Sequence, residues 1–180
     1  FAGSETNNAL YGIDPKTGDE VWHFDTGGAI DRGQAYADGV LYSGSEGGIL
    51  YALDATSGTL KWQYDAKQDG IGTPVVADGI VYTTSPTGQI IMLDATTGNE
   101  IKRIDTTSKD GIAGPTIGDG LIYIGSWQET IEAIDPEQGQ VIWSYPTHQM
   151  VRAGVALVDG VVYGSGMNNT VFALDASTKA

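Results

Sequence analysis

Ile49-Leu50-Tyr51-Ala52-Leu53-Asp54-Ala55-Thr56-Ser57-Gly58-Thr59-Leu60-Lys61-Trp62 is the stretch whose reading decides the fold. It is a short apolar strand closed by an aspartate, a tight turn ending in glycine, and a second strand bearing a tryptophan. The strand-closing aspartate recurs at Asp14, Asp54, Asp94, Asp135 and Asp175, at spacings of 40, 40, 41 and 40 residues. Self-similarity at about 40 residues marks an array of equivalent units, none of which buries its apolar face without a neighbour.

Working upstream from Ile49, an apolar run ends at Ala37, breaks at Asp38-Gly39 and resumes as Val40-Leu41-Tyr42-Ser43. Asp-Gly between apolar runs predicts a two-residue hairpin turn, because both central positions need positive φ. The dipeptide recurs at Asp78-Gly79, Asp119-Gly120 and Asp159-Gly160, each time followed by an apolar pair and a tyrosine (Tyr82, Tyr123, Tyr163). Working downstream, Gly18, Gly58, Gly98 and Gly139 each stand four residues past their aspartate, and Trp22, Trp62 and Trp143 four residues further on. The aspartate side chain can accept from the next backbone amides, and the glycine permits the left-handed step that reverses the chain.

Four short strands per period, with no helical periodicity and no long loop, predict an all-β chain of four-stranded antiparallel blades, a β-propeller. With strands A to D counted from the hub outward, residues 1–28 supply B, C and D. Residues 29–68, 69–108 and 109–148 supply full blades, and 149–180 supply A, B and C. The chain thus holds about 4.5 blades in a single repeat array. Its two ends align, Phe1 to Asn8 with Val162 to Asn169, and compete for one blade position. A closed four-bladed ring would leave one B-C pair without a place. An open array would expose strand edges and blade faces of the kind that proteins normally cover.

The stretch Ala52 to Trp62 resembles the A-x-D-x-x-x-G-x-x-x-W docking motif of propellers related to pyrroloquinoline quinone (PQQ) enzymes, as does Ala133 to Trp143. Residues 12–22 match with Gly12 in the alanine place. The third copy carries Met92 and Lys102 where alanine and tryptophan stand elsewhere, and the last has Lys179 where glycine is expected. The resemblance implies an eight-bladed parent ring of which this chain is about half, either a piece of a longer propeller or a segment that pairs with a second copy. It also implies that the tryptophans dock onto the adjacent blade. Both quinoprotein dehydrogenases and non-enzymatic, BamB-like envelope proteins carry this repeat. The envelope branch implies a periplasmic or extracellular location.

Composition narrows the function. A formal charge of −14, with 23 acids against nine lysines and arginines, argues against nucleic acid or anionic lipid as partner, since phosphate binding rests on clustered basic residues. No apolar run approaches the roughly 20 residues that span a bilayer. There is no cysteine, so neither disulfide nor thiolate chemistry enters. The opening at Phe1 reads as a mature product, a trimmed chain or an excised piece.

No catalytic, cofactor or metal site is read from the sequence. Asp31, Asp69 and Asp110 fall between blades, where solvated loop acids are the expectation, because calcium needs about six to eight converging oxygens. His23 shares its strand with Trp22 and Phe24 and alternation turns it to the opposite face; His148 opens a blade. Gly44-Ser45-Glu46-Gly47-Gly48 joins two strands and precedes no helix, unlike a phosphate loop.

What remains is a binding surface. The B-C loop tips vary while the framework repeats: Glu46, Pro86, Trp127 and Met167 occupy one place in successive blades. Trp127 and Met167 either form an exposed apolar patch or fold onto their own blades. The connections before strand A present Arg32, His148, Met150 and Arg152 toward the same face, where a protein or peptide partner is expected. The sequence-level function is therefore a non-catalytic propeller scaffold; a fragment of a PQQ-dependent dehydrogenase, or a repeat segment without independent function, stand as alternatives.

Overall fold

The computed structural model describes residues 1–67, 70–109 and 111–177, which form eighteen strands in five antiparallel sheets. The first sheet holds β1 (Ala2–Ser4), β2 (Ala9–Ile13) and β3 (Glu20–Asp25). The second holds β4 (Gln34–Ala37), β5 (Val40–Gly44), β6 (Ile49–Asp54) and β7 (Leu60–Asp65). The third holds β8 (Val75–Ala77), β9 (Ile80–Thr84), β10 (Gln89–Asp94) and β11 (Glu100–Asp105). The fourth holds β12 (Thr116–Gly118), β13 (Leu121–Gly125), β14 (Thr130–Asp135) and β15 (Gln140–Pro146). The fifth holds β16 (Ala156–Val158), β17 (Val161–Gly166) and β18 (Thr170–Asp175). Every sheet is a meander of sequential neighbours, and β4, β8, β12 and β16 approach one another along the inner side. The fold is a partial β-propeller whose ring is open.

Local chemistry sets each blade. Asp38, Asp78, Asp119 and Asp159 take φ of 48°, 51°, 52° and 49°, each followed by a glycine of positive φ, so these hairpins turn in the left-handed region. At the next turn Asp54 Oδ1 accepts from the amides of Thr56 and Ser57, and Asp94 Oδ1 from those of Thr96 and Thr97. These bonds hold both carboxyls below the ordinary aspartate range, led at Asp54 by the Ser57 amide and at Asp94 by the Thr97 hydroxyl.

The core lies between blades. Leu10, Leu50, Ile90 and Ile131 hold equivalent places on the third strand of successive blades, and each is 0% exposed. Val171, in the same place on β18, is 77% exposed, because no sheet covers that face. On the opposite side Ile13 is 38% exposed, whereas its counterparts Leu53, Leu93 and Ile134 are 0%. Each terminal sheet therefore presents one bare face that internal sheets bury.

The tryptophans bind successive sheets together. Trp22, Trp62 and Trp143 donate from Nε1 to the carbonyls of Ala55, Ala95 and Ala176 in the next sheet, at 3.1, 3.0 and 2.9 Å. Opposite them on the neighbouring strand stand the small residues Gly12, Ala52 and Ala133. Where Lys102 replaces tryptophan, its partner is Met92, so the small and large members of the pair change together. Lys102 Nζ donates to the carbonyls of Pro136 and Glu137 at 3.1 and 2.6 Å, preserving a polar tie to the same turn of the next sheet.

Candidate functional site

The second-to-third-strand loops and the connections entering each sheet meet on one face. Each loop tip clasps the following connection: the Gly70 amide donates to the Glu46 carbonyl at 2.7 Å, and the Gly111 amide to that of Pro86 at 3.2 Å. Loops also bond back to the connection that enters their own sheet: the Glu46 amide donates to the Ala29 carbonyl and the Trp127 amide to the Gly111 carbonyl, both at 3.0 Å. The Trp127 ring lies directly over Gly111, where a Cβ would fall 2.3 Å from the indole. Glycine at position 111 is thus what permits the ring to settle there.

Above the ring, the Arg152 guanidinium sits 5.1 Å from its centroid, within the range of cation–π attraction. Arg152 also donates to Met150 Sδ at 3.8 Å, and the Met150 carbonyl accepts from the Met167 amide at 3.3 Å. Arg32 Nε pairs with Asp31 at 3.2 Å. Arg32 and Trp127 both line two adjoining cavities, one of about 110 Å³ floored by Ile71 and Ile112, the other of about 300 Å³ reaching Thr116 and Arg152. The result is a shallow depression walled by one half-exposed indole and two guanidinium groups, in a chain with nine basic residues in all.

The structure brings together Arg32, Trp127, Met150 and Arg152 of the residues singled out by sequence. Met167 joins them through its backbone and is 57% exposed. Trp127 takes a middle course between the two readings open for it: its ring packs on Gly111 in the connection that enters its own blade, yet stays 38% exposed. Glu46 is exposed on its own loop tip and His148 occupies a left-handed position at φ 57°; among the described residues no side-chain hydrogen bond or ion pair ties either to the cluster. Asp69 and Asp110 lie outside the described residues, and Asp31 is engaged with Arg32. Among the described residues no three His, Asp or Glu side chains gather closely enough to hold a metal ion. His23 is solvent-facing and bonds Glu20 at 2.8 Å, a contact that raises its pKa.

Two groups escaped the sequence reading. Glu132 is fully buried on β14, accepting from the amide of Thr107 at 3.3 Å and from its hydroxyl. It stands where other blades have Tyr11, Tyr51, Ile91 and Phe172, so a charge interrupting an otherwise apolar column was the available signal. Arg103 bridges two sheets, bonding Glu100 at 3.1 Å and the Tyr64 hydroxyl at 2.5 Å. Burial raises the Tyr64 pKa, and its bond to Glu100 adds to the effect.

The family model described as outer membrane protein assembly factor BamB matches residues 6–125 and 127–180. The crystal structure of BamB from Moraxella catarrhalis superposes with a TM-score of 0.81 at 22% identity, covering 98% of this chain and 55% of that one. The computationally designed protein Ika8 gives 0.80 at 21% identity, covering 95% and 53%. The computationally designed Ika4 gives 0.73 at 21% identity, covering 82% and 91%. At these identities the solved structures show the fold. This chain spans about 55% of the Moraxella protein's length. No curated protein sequence matches.

Proposed function

The chain belongs to the family of the outer membrane protein assembly factor BamB, and on that footing we propose that it is a non-catalytic propeller scaffold that holds a protein partner in the cell envelope. The observation that carries this reading is the depression at Trp127. An exposed indole, steadied by Arg152 and bordered by Arg32, has the composition of an interface anchor, since tryptophan and arginine dominate binding energy at protein contacts. In a chain with 23 acids and nine lysines and arginines, this depression gathers two guanidinium groups around one indole.

The scaffold reading includes membership of a larger ring. Val171 and Ile13 occupy bare faces that internal blades bury, so further blades of the same kind, from a longer chain or a second copy, are the covering that matches them. Light scattering distinguishes the two: a mass of 18.9 kDa places the remaining blades elsewhere in a longer chain, and twice that mass places them in a second copy.

The partner test is photo-crosslinking in the source cell, with the reactive group at position 127 and, as control, at Val158. A discrete adduct at position 127 that Arg152→Ala weakens supports the assignment. Equal capture at both positions overturns it. Calcium-dependent binding of PQQ, seen as quenching of tryptophan fluorescence, would overturn the non-catalytic reading.

A further inference from the structure

Four junctions join the five sheets, and three are filled by the same device. At each of the three an indole enters a slot on the outer part of the blade and donates to the first carbonyl after the strand-closing aspartate. The ring has an aromatic companion every time. Trp62 lies 5.7 Å from Tyr42 and Trp143 lies 6.1 Å from Tyr123, while Trp22 lies 5.9 Å from Phe1.

The junction between the third and fourth sheets lacks the indole. Lys102 replaces it, and Tyr82, the counterpart of Tyr42 and Tyr123, has no ring companion among the described residues. A cleft of about 530 Å³ opens there, lined chiefly by apolar groups that include Ile80, Tyr82, Met92, Ile117 and Pro136. That volume falls within the roughly 300–1,000 Å³ typical of small-molecule sites, which pair apolar walls with a few placed polar groups.

We propose that this cleft is a binding site for a free small aromatic molecule of indole size. Three features of the slot favour a ring over an aliphatic group. The equivalent slots of this same chain hold indoles, and the cleft opens at the corresponding place between the third and fourth sheets. Met92 contributes a thioether, which makes favourable edge contacts with aromatic rings and adapts its shape to them. Lys102 contributes an ammonium fixed by the carbonyls of Pro136 and Glu137, placed to face a π surface, while its stem lines the wall. The Pro136 carbonyl, which keeps a second lone pair, is the acceptor for a ring N–H, as the Ala55, Ala95 and Ala176 carbonyls are for the tryptophans.

This site is independent of the Trp127 depression, which involves none of these residues. It is tested by titrating the whole chain with indole and following amide resonances by NMR. The expected result is saturable shifts centred on Ile80, Ile101, Ile117 and Gly120. A double variant, Met92→Ala with Lys102→Trp, rebuilds the filled junction seen three times elsewhere. It should keep the spectrum of a folded propeller and bind indole at least tenfold more weakly. Absence of saturable shifts in the native chain, unchanged affinity in the double variant, or cyclohexanol binding as tightly as indole would each overturn the proposal.

Discussion

The indole of Trp62 rests on Gly98 of the following blade so closely that a Cβ at position 98 would lie 2.6 Å from the ring. The same relation joins Trp22 to Gly58. A glycine that appears to serve only its own turn, with φ of 73° at Gly98, therefore also forms the seat of a ring 36 residues earlier in the chain.

Two glycine substitutions separate these roles. Gly79 and Gly98 have φ of 75° and 73°, but a Cβ on Gly79 meets nothing within 4 Å. Gly79→Ala carries the backbone penalty alone, about 1 kcal/mol. Gly98→Ala must also displace the indole, and is expected to cost at least about 1 kcal/mol more. Urea unfolding of both variants measures the difference; equal losses would mean that the ring moves aside freely.

Position 102 and position 92 are expected to be coupled. Lys102→Trp alone forces an indole against Met92, which stands where other blades place Gly12, Ala52 or Ala133. Met92→Ala alone enlarges the cleft and should cost about 2 kcal/mol or more. The double variant should recover stability beyond the sum of the two changes by about 0.5–3 kcal/mol. A double-mutant cycle in denaturant reads this directly.

Glu132 should tolerate loss of charge better than loss of its oxygens. Glu132→Gln keeps an acceptor for the Thr107 amide, whereas Glu132→Ala removes the acceptor of both the Thr107 amide and hydroxyl and leaves a void at a fully buried position. The alanine variant is expected to be about 1–3 kcal/mol less stable than the glutamine variant. Chemical unfolding at pH 7 provides the comparison.

Acid should loosen the turns before it affects the core. Asp54 and Asp94 have folded pKa values below their unfolded ones, so the native state binds fewer protons than the unfolded chain as pH falls through the interval between them. Their contribution is full above the unfolded value of about 3.9 and is lost as pH drops through the folded values. Carbon-13 titration of the side-chain carboxyls should give midpoints for both below about 3.9. Asn substitutions should cost stability at pH 7, and progressively less as pH falls below the unfolded value of about 3.9.

The blade was legible because its signals are local. Asp-Gly turns, strand-closing aspartates and glycines four residues on depend on φ preferences and on bonds within a few residues, and they repeat every 40 or 41 positions. Among the described residues the eighteen strands fall where these signals place them. Lys102 was visible as a departure from the repeat, but its consequence was not. Only the packed sheets show that Met92, the other departure in that copy, pairs directly with it and that Tyr82 has no ring companion among the described residues.

The loop face divides in the same way. Sequence placed Arg32, Trp127, Met150 and Arg152 on one side, because their repeat positions fix which end of a blade each occupies. Which of them touch was decided by contacts between residues distant in the chain, such as Arg152 over Trp127 from the next blade and Trp127 over Gly111 within its own. Local turn chemistry and a repeat period determine a blade, since neither needs distant partners. Docking partners, bare faces and an unfilled slot emerge only when blades stack, because each depends on what the neighbouring sheet presents.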